Sequence, residues 1–125
     1  MVNISDSEWK IMNILWENSP CTIMQLTKTL SESTGWTKHT VMAYLKRLEE
    51  KGAVYYEEGV RAKQYYAKVP QTDVVMEEVR SFLDKAFKGK LGIMLNTMIK
   101  EEALSKAELD ELYDILEKGR KGDAF

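Results

Sequence analysis

One cysteine, one histidine and two prolines are all that 125 residues contain of these types. A lone Cys21 excludes an intrachain disulfide and suits a reducing, cytoplasmic setting. His39, with no cysteine cluster near it in the sequence and only scattered carboxylates, makes a poor metal site, so no metal is expected. Apolar runs reach only a few residues, too short to cross a bilayer. The opening MVNISDSEW has no basic segment leading into an apolar stretch, so neither a signal peptide nor membrane insertion is expected. Also missing are a glycine loop able to cradle phosphate and any Ser/His/Asp or Cys/His grouping. An enzyme is therefore the last class to consider, and no cofactor is expected.

Strong charge of one sign is lacking too, since the formal net charge is −2. Its distribution says more than its sum. Residues 1–70 carry nine Lys/Arg against eight Asp/Glu, whereas residues 71–125 carry nine against twelve. The stretch 36–68 holds seven basic against four acidic residues and the histidine as well. Local basic excess on one face attracts phosphates even when the whole chain is acidic.

What is present is periodic. Ser5 and Glu8 have capping-box spacing and precede Trp9, Ile11, Met12, Leu15 and Trp16 at helical intervals. Pro20 ends that helix. Thr22 and Gln25 repeat the box before the stripe Ile23, Leu26 and Leu30, which Ser33-Thr34-Gly35 closes. Thr37 caps a third helix running to Lys51, with Val41, Tyr44, Leu45 and Leu48 as its apolar stripe. Ala53–Tyr56 and Gln64–Val69, either side of a Glu57–Arg61 turn, predict an antiparallel hairpin. After Pro70 the pattern is helical: Thr72 caps one helix, Gly89 and Gly92 bracket a break, and Ile93–Ala103 forms a second. Ser105 with Glu108 opens a last one.

Three helices and a hairpin in this order predict a mainly α chain, a winged helix-turn-helix over 1–70 followed by dimerisation helices over 71–125. With Val41, Leu45 and Leu48 inward, His39, Met42, Ala43, Lys46 and Glu50 face out toward a DNA groove, with Thr40 and Arg47 on the flank. Thr37 and Lys38 stand at the helix entry, where free N–H groups favour phosphate, and Arg61 and Lys63 straddle the wing tip. Bland readings stand beside these. Cys21 is a small apolar filler, the tryptophans are core, and a solvated wing loop is as good a reading as a phosphate grip. The C-terminal stripes exceed what so small a core can cover, so a second copy is expected to meet Phe82, Phe87, Leu91, Leu95, Met98, Leu109, Leu112 and Leu116. The competing class is a winged-helix protein-interaction adaptor without specific DNA binding, for which Glu49, Glu50, Glu57 and Glu58 leave room.

Four stretches, ISDSEWKIMNILWENSP, GWTKHTVMAYLKRLEEKGAV, QYYAKV and FKGKLGIMLNTMIKEEALSKAELDELYDILEKG, resemble in order and spacing the penicillinase-repressor (BlaI/MecI-like) family of winged-helix repressors. The resemblance implies a homodimer on a pseudo-palindromic double-stranded operator, repressing genes often concerned with β-lactam resistance. It implies inactivation by cleavage in the dimerisation region, answering a membrane sensor-protease. The matching bond is Asn96–Thr97, where Thr stands in place of the family's aromatic residue. The family's recognition helix commonly begins W-S-P-K-T-x-R/K-T. Here Trp36 and Thr40 are kept, Thr37 replaces Ser, and Lys38 and His39 take the Pro-Lys places. Met42 replaces the basic residue and Ala43 the Thr, so a forked arginine–guanine contact is lost there while a thymine methyl contact stays open.

Overall fold

Local caps fix where the helices begin. Ser5 Oγ accepts from the Glu8 N–H at 3.3 Å while Glu8 Oε1 accepts from the Ser5 N–H at 2.8 Å. Thr22 with Gln25 and Ser105 with Glu108 make the same reciprocal pair. The computed structural model describes residues 2–122; the last three residues of the expected dimerisation segment, 123–125, lie outside the described residues. The elements are α1 (Asp6–Asn18), α2 (Ile23–Thr34), α3 (Lys38–Glu50), β1 (Val54–Glu58), β2 (Lys63–Ala67), α4 (Gln71–Phe87), α5 (Leu91–Lys100) and α6 (Lys106–Arg120). This is the winged helix-turn-helix with helices following it that the patterning predicts.

The chain divides into two compact units after Glu77. In the first, Ile11, Met12 and Leu15 of α1, Leu26 and Leu30 of α2, and Val41, Leu45 and Leu48 of α3 form one apolar core, closed by Val54 and Tyr65 of the hairpin. The hairpin pairs Val54 with Ala67, Tyr56 with Tyr65 and Glu58 with Lys63. Both strands lie closer to the turn than the sequence suggested. Glu57 and Glu58 belong to β1 and Lys63 opens β2, because the loop is only Gly59–Ala62, closed by the Gly59 N–H on the Ala62 carbonyl at 3.0 Å. A β-carbon on Gly59 would stand 2.4 Å from that carbonyl, so only glycine fits the turn.

Three long-range ties hold the unit. Cys21 exchanges two backbone bonds with Tyr65, at 3.0 and 2.8 Å, adding a strand-like bridge beside β2. Trp16 Nε1 donates to the Val69 carbonyl at 3.0 Å. Lys51 Nζ donates to the Asn3 carbonyl at 2.7 Å and to Glu8 Oε1 at 2.5 Å, joining the end of α3 to the start of α1. Glu8 is buried. Burial pushes its carboxyl up, but the bonds from Lys51 and Ser5 together with the ammonium charge outweigh that and leave it below its ordinary value.

Three helix boundaries differ from expectation: the start of α4, the start of α5, and the end of α5 at Lys100 rather than Ala103. Thr72 lies inside α4, whose first N–H to find a helical partner is that of Val74, on the Pro70 carbonyl at 3.4 Å. Pro70, immediately before the helix, supplies the first accepting carbonyl, two residues ahead of the expected cap at Thr72. Gly92 sits within α5. The turn before that helix is made by Gly89 alone among the two glycines, at φ +78°. In the second unit no side chain of α5 or α6 is buried.

Candidate nucleic-acid interface

Thr37 starts α3 with its hydroxyl oxygen accepting from the Thr40 N–H at 3.4 Å. Val41, Leu45 and Leu48 then face the core, as their spacing requires. The opposite face is open: Lys38, His39, Met42, Ala43, Lys46, Glu49 and Glu50 are exposed. A groove runs between the start of α2, this face and β2, lined by Ile23, His39, Met42, Ala43, Lys46, Glu49, Lys63 and Tyr65. Five expected contact residues thus meet on one surface: His39, Met42, Ala43, Lys46 and Lys63. Thr37, Lys38, Thr40 and Arg61 are not part of its lining. Thr40 is half-buried with its hydroxyl 3.3 Å from that of Thr37, Lys38 stands at the helix entry, and Arg61 is exposed in the wing loop.

The wing carries its own order. Tyr56 and Tyr65 turn toward the core side, their rings 5.6 Å apart, while Tyr55 and Tyr66 stack on the other face at 5.1 Å. Lys63 Nζ sits 4.1 Å above the centre of the Tyr56 ring. Tyr56 is also the main reason its ammonium is held above the ordinary lysine value, so it is charged at neutral pH. Burial pushes the Cys21 thiol up, which keeps it a neutral thiol, and it donates to the Asn18 carbonyl at 3.1 Å.

Ile23, Glu49 and Tyr65 also line the groove and were not foreseen from the sequence. Glu49 lies three residues beyond Lys46 on the same side of the helix, a spacing that could have shown it; Ile23 arrives from another element and leaves no such mark. Arg47 lies on the flank of α3, as its spacing predicts. The guanidinium carbon lies 5.6 Å over the Tyr44 ring, which in turn lies 4.9 Å from Trp36.

In the second unit the expected interface residues form an uncovered apolar surface. Phe82, Leu91 and Leu116 are exposed; Phe87, Leu95, Met98, Leu109 and Leu112 are half-buried. Val79, Ile99 and Ile115, which belong to the same apolar stretches, are exposed as well, as are Ile93 and Tyr113. Leu95, Leu104, Leu112 and Ile115 line a shallow groove with Glu108 and Glu111. Asn96 and Thr97 are exposed on α5, with the Thr97 hydroxyl donating to the Ile93 carbonyl at 2.8 Å. Among the described residues no helix is long and apolar enough to cross a membrane, and no three metal-ligating side chains gather.

Known proteins similar to this chain include members of one repressor family. The model of the family described as Penicillinase repressor matches residues 4–118. The Penicillinase repressor of Bacillus licheniformis is 32% identical over 120 residues, covering 94% of each chain. The Methicillin resistance regulatory protein MecI of Staphylococcus aureus is 28% identical over 115 residues, 92% of this chain and 94% of that one. Among solved structures, the solution structure of the Bacillus licheniformis BlaI monomeric form in complex with the blaP half-operator superposes with a TM-score of 0.51. It is 30% identical and covers 57% of this chain and 87% of that one.

Proposed function

Because the chain belongs to the penicillinase repressor family, we propose that this DNA-binding transcriptional repressor works as a homodimer on a pseudo-palindromic operator. The observation that carries the reading is the open face of α3. Its inward side is locked to the core by Val41, Leu45 and Leu48, while His39, Met42, Ala43 and Lys46 stand outward beside Lys63 of the wing. A helix held in that way is a rigid probe for a major groove. Thr37 and Lys38 at its entry, and Arg61 on the wing, supply phosphate contacts that set register. The BlaI structure bound to a half-operator supports this use of the fold.

Dimerisation is supported by the apolar surface of α4 to α6, which has no buried side chain in α5 or α6. A 15-residue helix such as α6 needs its stripe covered to be stable. Two copies reading two half-sites then multiply specificity. The relatives' names point to penicillin or methicillin resistance as the class of regulated gene, and a repressor of such a promoter works in the cytoplasm. Proteolytic release through a sensor-protease would act at Asn96–Thr97; that bond lies inside the continuous helix α5, so cleavage requires this turn to unwind first.

Fluorescence anisotropy of the gene's own upstream duplex, against a scrambled duplex of equal length at moderate salt, tests the reading. Preference for the upstream duplex is expected. In the same titration Lys46→Ala should weaken binding and flatten the salt dependence by about one unit of log–log slope, as loss of one phosphate contact requires. Equal affinity for both duplexes would remove the repressor assignment. A second reading, the adaptor, draws on the exposed Glu49, Glu50, Glu57 and Glu58; it requires no duplex preference at all.

A further inference from the structure

Resting on the DNA-binding reading of α3, we propose that Met42 and Ala43 recognise thymine C5-methyl groups in the major groove, making each operator half-site dependent on thymine opposite the middle of α3.

The face that meets the groove has an unusual vocabulary. Guanine is read best by a forked arginine and adenine by an asparagine or glutamine amide. The α3 sequence, KHTVMAYLKRLEE, contains no Asn or Gln. Its one arginine, Arg47, is drawn off the face onto the Tyr44 ring. The centre of the outer surface is instead filled by two apolar side chains, Met42, 41% exposed, and Ala43, both lining the groove with His39 and Lys46.

Apolar side chains pressed onto a base edge that offers only N–H or carbonyl groups would strip those groups of water and return no hydrogen bond. Thymine is the one base whose major-groove edge presents a methyl. Ala43 is short enough to let the helix approach closely, and the flexible thioether of Met42 can follow a methyl displaced from it. Charge on the same face fixes which half of α3 enters. Glu49 and Glu50 repel phosphates at its C-terminal end, while Lys38 and the open N-terminal N–H groups attract them at the other. The duplex is therefore met by residues 38–46, with Met42 and Ala43 central.

The test starts from a randomised duplex pool selected with the full chain. The best-bound duplex is resynthesised with deoxyuridine at each thymine in turn, which removes one methyl and nothing else. At one or two positions per half-site, affinity should fall about fourfold, the worth of one buried methyl-sized group. Met42→Ala, on an exposed site, should still bind but lose that sensitivity at one position. Binding that is indifferent to every methyl, or a sensitivity unchanged in Met42→Ala, overturns this assignment while leaving the repressor reading intact. Failure to select any duplex overturns the repressor reading and this one with it.

Discussion

Glu8 takes part in two bonds that usually belong to different residues. Its Oε1 closes the capping box at the start of α1 and receives the Lys51 ammonium from the end of α3. The carboxylate is almost wholly buried, with 1% of its side-chain surface exposed against 35% for Lys51, so the acid depends on this partner more than the base does. Lys51→Met should therefore destabilise the fold by about 1–2 kcal/mol, discounted because the lysine end stays partly in water. The folded-state carboxyl lies below its ordinary value, so the stabilisation is complete above the usual carboxylate range and is lost as pH falls through the lower folded value. Urea melts of the wild type and the variant should accordingly differ at neutral pH and converge in acid. A gap that stays constant with pH would show that the pair contributes nothing through charge.

At the level of elements, the wing is set by its shortest segment. Gly59 brings its N–H to the Ala62 carbonyl where no β-carbon fits, and the four-residue loop keeps Glu58 opposite Lys63. Gly59→Ala must open that turn to relieve the clash with the Ala62 carbonyl, at about 1–3 kcal/mol for overpacking. Exchange of the amide at position 59, the donor of the turn bond, should be faster than that of a wing held closed, while that of α1 stays slow; a residue-59 amide still protected would show that the turn tolerates the methyl. The helix starts were legible in the sequence because a capping box is written within four residues, as at Ser5, Thr22 and Ser105. The outward side of α3 was legible because 3.6-residue spacing assigns His39, Met42 and Lys46 once Val41 and Leu45 are inward. The bridge between Cys21 and Tyr65, and the bonds from Trp16 to Val69 and from Lys51 to Glu8, were not. They join residues more than 40 positions apart and leave no local signature. The turn at Gly59 was blurred for a different reason, since two glutamates in a strand look like a loop by composition.

For the whole molecule, the contrast between the two units matters most. The buried apolar side chains run from Ile4 to Val74, and none of them belongs to α5 or α6. On the proposed reading, Leu112→Glu puts a charge into the face that a second copy covers, so sedimentation should give a monomer and operator affinity should fall steeply as one half-site is lost. An intact dimer would remove Leu112 from the interface. The bareness of those helices also bears on how much repressor a cell can keep. On the same proposed reading, a newly translated copy without its mate holds these helices only marginally and offers them to housekeeping proteases, whereas a mated copy offers little. Unmated copies would be cleared first, so halving synthesis should thin the working pool by more than half.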